Sequence, residues 1–129
     1  MANRPPEARY TKTHEWVVVK GDVATLGITD FAVEHLGELV FVQLPEKGKA
    51  LREGEVAAEV ESVKAVGEVY APIAGTVIEV NSGLADDQSP LAKDPFGKGW
   101  LFKLKVKAGA GSALMDKAAY EKQLASEAK

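Results

Sequence analysis

Short segments with β character, separated by turn signals, recur along most of this chain and constrain its fold more than any other feature. Each segment is rich in Val, Leu, Phe or Thr, and Gly, Pro, Asn or Asp lies between most of them. Short strands at this spacing predict a mainly β domain, built as a flattened barrel or a sandwich. The segments are WVVVK (16–20), VATLGI (23–28), LVFVQL (39–44), VAAEVE (56–61), GEVYA (67–71), TVIEV (76–80) and WLFKLKV (100–106).

Two segments depart from the β pattern and predict helices. The first is a short helix near 29–36, for which either Thr29 or Asp30 is a suitable N-cap residue. The second covers 112–127 at the C-terminal end, where the composition is helical and Ser112 is the expected N-cap. We expect this C-terminal helix to pack against the outside of the sheet.

Length and composition limit the classes of protein to which the chain can belong. With 129 residues, it forms one domain over 10–129, preceded by a flexible arm over 1–9 that contains two adjacent prolines. A net charge of -3 and the lack of a basic cluster argue against nucleic-acid binding. No apolar run is long enough to span a membrane. We expect a cytoplasmic bacterial protein, or a mitochondrial matrix protein if a targeting segment has been removed.

One lysine, Lys64, lies where the β pattern would otherwise bury it. Side chains alternate along a strand, so Glu59 and Glu61 mark the solvent face and Val60 marks the buried face. A strand that continued unchanged would place Lys64 on the buried face. Burying an unpaired ammonium costs several kcal/mol or strongly shifts its pKa. The sequence therefore predicts a turn near 63–66 with Lys64 at its tip.

The residues around Lys64 favour a functional lysine over one that only aids solubility. Val63 and Ala65 are apolar, although turn tips usually contain Gly, Asn or Asp. Glu61 and Glu68 lie on the two arms of the predicted hairpin and make them acidic. An apolar tip on acidic arms is typical of a lysine that is presented to a partner.

Several stretches resemble the glycine cleavage system H protein family in their order and spacing, from Tyr10 to Tyr120. They are THEWV (13–17), LGITDFAVEHLGELVFVQLPEKG (26–48), ESVKA (61–65), EVYAPIAGTVIEVN (68–81) and DPFGKGWLFKLK (94–105). The resemblance implies a lipoyl-domain-like fold, also called a barrel-sandwich hybrid. It also implies that lipoate is attached covalently to Lys64, within an attachment motif formed by Glu61, Ser62, Val63 and Ala65.

The same resemblance implies a carrier function and no catalytic activity of the chain itself. In this family, the lipoyl arm receives an aminomethyl group from glycine decarboxylase (P protein) and delivers it to aminomethyltransferase (T protein). Dihydrolipoyl dehydrogenase (L protein) then reoxidises the arm, which a lipoate ligase or an octanoyltransferase first attaches. The resemblance further implies that Thr13, Glu15 and Glu68 line a cleft for the loaded arm. We expect the carrier to be a monomer.

Other functions remain open at the level of sequence. A biotinyl domain would have methionine on each side of its lysine, whereas Val63 and Ala65 flank Lys64. A lipoyl domain of a 2-oxo acid dehydrogenase, an unmodified scaffold and a protein that relays lipoyl groups are further alternatives. His14 and His35 lack the spacing of metal ligands, and no nucleophile–base pair or phosphate-binding loop supports an enzyme.

Overall fold

The computed structural model describes residues 4–127 and contains nine strands, three α-helices and one 3-10 helix. The strands are β1 (Arg9–Tyr10), β2 (Glu15–Lys20), β3 (Val23–Ile28), β4 (Leu39–Gln43), β5 (Ala50–Leu51), β6 (Val56–Ser62), β7 (Val66–Tyr70), β8 (Gly75–Val80) and β9 (Phe102–Lys105). The helices are α1 (Asp30–Leu36), α2 (Ser89–Lys93) and α3 (Lys117–Glu127), and the 3-10 turn is Ser82–Ala85.

The strands form two antiparallel sheets that do not close into a barrel. The larger sheet has the order β1-β2-β3-β9-β8-β5, and the smaller sheet has the order β4-β6-β7. This arrangement confirms the predicted mainly β fold in its sandwich form. Every predicted segment contains a strand, although only Phe102–Lys105 of the predicted segment 100–106 joins a ladder.

The main hydrophobic core includes side chains from both sheets. Val17 and Leu104 of the larger sheet and Val42 and Val60 of the smaller sheet belong to one buried cluster. Along β6, residues alternate between buried and half-buried from Ala58 to Ser62. The alternation confirms the predicted assignment of the two faces, and it orients Glu59 and Glu61 away from the core.

Helix α1 begins after one of the two cap residues predicted from the sequence, and it ends at a glycine. The Thr29 side chain caps it by accepting from the Ala32 N–H, at 3.4 Å between the two heavy atoms. Gly37 ends it with a φ of 83°, a left-handed value that glycine adopts without strain. Of the two residues considered as caps, the structure selects Thr29.

The C-terminal helix starts later than the predicted 112–127. It spans Lys117–Glu127, and the Asp116 carboxylate accepts from the Ala119 N–H at 2.8 Å, so Asp116 rather than Ser112 occupies the capping position. Ser112 lies in a turn that follows Gly111, whose φ of 84° interrupts any helix.

Helix α3 packs on the outer side of the larger sheet, as predicted. Tyr120 and Leu124 are buried in a second cluster with Tyr10 and Trp16, and the Tyr10 and Tyr120 rings stack at 4.8 Å between centroids. Among residues 4–127, no helix is long and apolar enough to cross a bilayer.

Residues 4–9, predicted as part of a flexible arm, are instead packed against the domain. The Arg4 guanidinium donates to both Asp30 carboxylate oxygens at 2.9 Å, and Ala8 is buried. The Tyr10 hydroxyl also donates to the Pro5 carbonyl at 2.8 Å. These contacts attach the segment to the domain, and the proline-rich composition does not reveal them. Residues 1–3 of the predicted arm lie outside the described residues.

Candidate functional site

The hairpin between β6 and β7 presents Lys64 at its tip. Glu61 is paired with Val66, and between them the Ser62 N–H donates to the Ala65 carbonyl at 2.8 Å. The Ser62 hydroxyl accepts from the Ala65 N–H at 3.0 Å and donates to the Ala65 carbonyl at 3.1 Å. A serine side chain thus supplies hydrogen bonds that stabilise the turn. Val63, Lys64 and Ala65 are all exposed.

The tip of the hairpin is attached to the end of helix α1. The Val63 N–H donates to the Glu38 carbonyl at 3.0 Å, in the loop that follows the helix. A Cβ atom built on Gly37 would lie 3.7 Å from the Lys64 Cε. The lysine stem therefore passes over the glycine that ends α1.

A cleft of ≈ 330 Å³ runs between helix α1 and the free edge of β7. Gly67 contributes to its width, because a Cβ at this position would lie 3.2 Å from Leu36 Cδ2. The walls combine apolar side chains with two carboxylates and two imidazoles. The lining residues are Thr13, His14, Ile28, Phe31, Ala32, His35, Leu36, Val60, Gly67, Glu68, Val69 and Glu127.

A hydrogen-bonded chain of side chains closes the cleft at the end formed by α3. His14 adopts a φ of 71°, an uncommon value for a residue with a Cβ. Its Nδ1 lies 2.8 Å from the Tyr120 hydroxyl, and its Nε2 lies 3.2 Å from Glu127 Oε1. The His14 ring packs on Phe31, with 4.6 Å between centroids. The Tyr120 hydroxyl continues the chain to the Thr29 hydroxyl at 2.6 Å, and burial raises the pKa of Tyr120 to about 12.

Sequence reasoning did not identify Glu127 as a cleft residue. A usable signal exists for it, because Glu127 lies seven residues after the buried Tyr120 and so shares its helix face. No local signal marks the left-handed conformation of His14. His14 directly precedes β2, and its imidazole lines the cleft.

The structure places Thr13 and Glu68 on the cleft and Glu15 behind Thr13. The Glu15 side chain is 1% exposed and does not line this cleft. Its Oε1 accepts the hydroxyl protons of Thr11 and Thr13, and its Oε2 accepts from the Tyr70 N–H at 3.2 Å. Burial raises the pKa of Glu15. The three predicted residues are thus neighbours, but only Thr13 and Glu68 can contact an occupant of the cleft directly.

The chain is similar to known proteins along most of its length. The family model of the glycine cleavage H-protein matches residues 8–127. The glycine cleavage system H protein of Acaryochloris marina is 51% identical over 114 residues, which cover 88% of this chain and 87% of the relative. The corresponding protein of Thermotoga maritima is 48% identical over 120 residues, with 92% and 97% of the two chains covered.

A solved structure shows the same fold. The crystal structure of a glycine cleavage system H protein from Mycobacterium marinum superimposes with a TM-score of 0.88 at 39% sequence identity. The match covers 95% of this chain and 99% of that chain. Sequence similarity along almost the whole chain and a shared sandwich fold lead to one conclusion: the chain belongs to the glycine cleavage H-protein family.

Proposed function

We propose that Lys64 is the attachment residue for lipoate and that the chain is the lipoylated carrier of the glycine cleavage system. In this role it shuttles the aminomethyl group of glycine between glycine decarboxylase and aminomethyltransferase. The observation that supports the proposal is the position of Lys64, exposed at a hairpin tip with its stem over Gly37, beside the cleft. The chain presents Lys64 and shelters the aminomethyl group, and its partners catalyse the reactions.

Attachment requires a free lysine amine that an enzyme can reach. The neutral Lys64 amine attacks the carbonyl carbon of an activated lipoyl group, the amide C–N bond forms, the bond to the activating group breaks, and a proton leaves the nitrogen. Within residues 4–127, Lys64 makes no ion pair. No carboxylate therefore has to be displaced before an enzyme can reach the amine.

The cleft has the chemistry to shelter a cationic cargo. When attached, the lipoyl group supplies the dithiol to which the aminomethyl cargo is bound, and that cargo ends in an amine. The carboxylates of Glu68 and Glu127 face the same cleft and favour an ammonium. Phe31 and Leu36 contribute apolar walls that limit the access of water.

Glu15 acts in this proposal as a positioning residue for Thr13. Thr13 donates its hydroxyl proton to the buried Glu15 carboxylate. The lone pairs of the Thr13 oxygen therefore remain available to accept a hydrogen bond from the cargo amine. A threonine without this partner would be free to present its proton instead.

The proposed partners follow from the proposed reaction cycle. Glycine decarboxylase loads the arm, aminomethyltransferase unloads it, and dihydrolipoyl dehydrogenase reoxidises the resulting dithiol. A lipoate ligase or an octanoyltransferase acylates Lys64. Because the relatives named above are bacterial, we propose that the carrier works in the bacterial cytoplasm.

The attachment residue is tested with Lys64→Arg, using Lys47→Arg as a matched exposed control. A guanidinium cannot form the amide because it is delocalised and always protonated. Intact mass after incubation with lipoate ligase, MgATP and lipoate should show one adduct on wild type and on the control, and none on Lys64→Arg. The stability of the variant should change by no more than about 0.5 kcal/mol, as is usual at surface positions. An adduct on Lys64→Arg, or glycine cleavage with this variant as the sole carrier, would refute the assignment.

The cleft is tested with Glu68→Gln, using Glu46→Gln in the turn after β4 as the control. A hydrogen bond to a charged group contributes about 1.5–3 kcal/mol, so the sheltered population should fall by about tenfold or more. The carrier is loaded, the decarboxylase is removed, and the release of ammonia is followed with time. Glu68→Gln should release ammonia faster than the control. Equal rates in wild type, variant and control would show that Glu68 does not shelter the cargo.

A further inference from the structure

The exposed apolar side chains of this domain are concentrated beside the tip of the β6–β7 hairpin. Among the described residues, the large exposed hydrophobic side chains are Val40, Phe41, Val56, Val63 and Val66. Val40, Phe41, Val63 and Val66 lie near the tip and are 41% to 70% exposed. Val56 lies at the opposite end of β6. Exposed apolar side chains that cluster in this way mark interaction sites more often than scattered ones do.

Strand register places Phe41 and Val66 on the side of the smaller sheet that faces away from the core. Phe41, Glu61 and Val66 are direct cross-strand partners and form one row. The neighbouring row contains Val42 and Val60, which are buried. Successive rows of a sheet point to opposite faces, so the first row points to solvent. We call the solvent side of β4-β6-β7 the outer face.

The three strands of the outer face are acidic. Strands β4, β6 and β7 contain Glu59, Glu61 and Glu68 but no lysine or arginine. Glu59 and Glu68 are directly opposite each other, and neither forms an ion pair with a described residue. Like charges in this position destabilise a sheet. A partner with basic side chains would relieve that repulsion.

We propose that the outer face is the docking surface for the enzyme that acylates Lys64, and that this enzyme presents basic side chains around an apolar centre. The inference rests on the proposed function of Lys64. The amine of an unmodified lysine lies only a few bonds from the backbone, so the acylating enzyme must contact the residues beside the tip. Enzymes that act on the far end of an attached lipoyl arm are under no such constraint.

The other side of the tip is already occupied by this chain. Val63 is hydrogen-bonded to the carbonyl of Glu38, and the Lys64 stem lies against Gly37. The outer face, in contrast, is open, apolar next to the lysine and acidic beyond it. It offers a partner both contact area and charge complementarity, which mainly speeds association and selects the partner.

Steady-state acylation of the full chain tests the proposal. The probes are a purified lipoate–protein ligase, MgATP and lipoate, with the adduct quantified by intact mass. Phe41→Ser should raise the KM for the carrier by about tenfold, as expected for a central apolar contact, with kcat within about twofold. Val56→Ser, a valine of the same sheet far from the tip, is the control and should leave the KM unchanged.

A charge variant keeps the test valid if Phe41→Ser folds poorly. Glu59→Gln changes no packing and should raise the KM at low ionic strength, with the difference from wild type disappearing in high salt because mobile ions screen exposed charges. Glu46→Gln is its control. If wild type is acylated and both variants have wild-type KM values, the docking proposal is overturned. If wild type is not acylated at all, the proposed function fails instead.

A second measurement checks which partner uses the surface. Once lipoylated to completion, wild type and Phe41→Ser should be equally good substrates for dihydrolipoyl dehydrogenase. A loss in this assay as large as the loss in acylation would overturn the assignment of the outer face to the acylating enzyme.

Discussion

Replacing Glu15 with alanine should loosen the connection between the two sheets at the cleft. Glu15 belongs to β2 in the larger sheet, and its carboxylate accepts the Tyr70 N–H of β7 in the smaller sheet. The same carboxylate accepts the hydroxyl protons of Thr11 and Thr13. In Glu15→Ala, all three donors lose their acceptor at once.

The loss in the free energy of unfolding depends on whether each of the three donors can find another acceptor in Glu15→Ala. The hydroxyls of Thr11 and Thr13 can rotate toward each other, since their oxygens are 3.3 Å apart. The Tyr70 N–H is fixed by its strand, and an orphaned buried donor costs about 1–3 kcal/mol. The lost Cγ methylene group adds about 0.8 kcal/mol, while removal of a desolvated carboxylate offsets part of the loss. We expect a net loss of about 2–3 kcal/mol in the free energy of unfolding.

Urea unfolding of Glu15→Ala, with the exposed Glu79→Ala as control, measures this loss. For a chain of this size the melting temperature should fall by about 10 °C, and the control should stay within the range of a surface change. Amide exchange of Tyr70 followed by NMR reports on the same contact directly and should accelerate relative to the rest of the core. A loss of stability below about 0.5 kcal/mol, or unchanged Tyr70 exchange, would refute this account of Glu15.

Two further predictions concern stability. Burial raises the pKa of Glu15. Between the ordinary and the raised pKa, the folded state therefore binds more protons than the unfolded state. The stability that this group contributes is present below the ordinary pKa and is lost as the pH rises through the pKa of the folded state. Glu15→Gln lacks this titration, so urea unfolding across that range should favour the variant increasingly as pH rises, and a constant difference would contradict the assignment. A Cβ on Gly75 would lie 2.6 Å from the Lys105 carbonyl oxygen, whereas Gly83 has no atom within 4 Å. Gly75→Ala should therefore cost about 1–3 kcal/mol through overpacking and Gly83→Ala should be neutral, and equal melting temperatures would show that β8 can shift.

The hairpin could be predicted from the sequence because it depends on interactions between residues that are close together in the chain. The alternation from Ala58 to Ser62 requires only the period of a strand and the cost of burying charge. The turn after Ser62 follows from the same cost, applied to Lys64. The start of helix α1 follows from the capping chemistry of Thr29.

The interior of the candidate site depends on contacts that a local pattern cannot show. Glu15 is buried, which is uncommon for a carboxylate, because Thr11, Thr13 and the backbone of Tyr70 surround it. Tyr70 is 55 residues away along the chain. His14 and Glu127 are separated by 113 residues and meet only through the packing of α3 on the sheet. The family resemblance implied that Glu15 lines the cleft with Thr13 and Glu68, whereas these long-range contacts bury its side chain behind Thr13.

A carrier's lysine must be reached by the acylating enzyme and must later let the loaded arm enter the cleft, and the hairpin assigns these two steps to different faces. Alternation along β6 and β7 directs Val60 and Gly67 toward α1 and the cleft, and directs Glu61 and Val66 to the outer face. Lys64, in the turn between the strands, belongs to neither face and can be reached from both. In the proposed cycle, an enzyme acylates the lysine from the outer face, and the loaded arm later folds back on the cleft side. Glu68 belongs to both surfaces, because it lies opposite Glu59 on the outer face and also lines the cleft. Substitutions at other residues of one face, such as Phe41 on the outer face, should affect one of these steps and leave the other intact, because distant sites act independently.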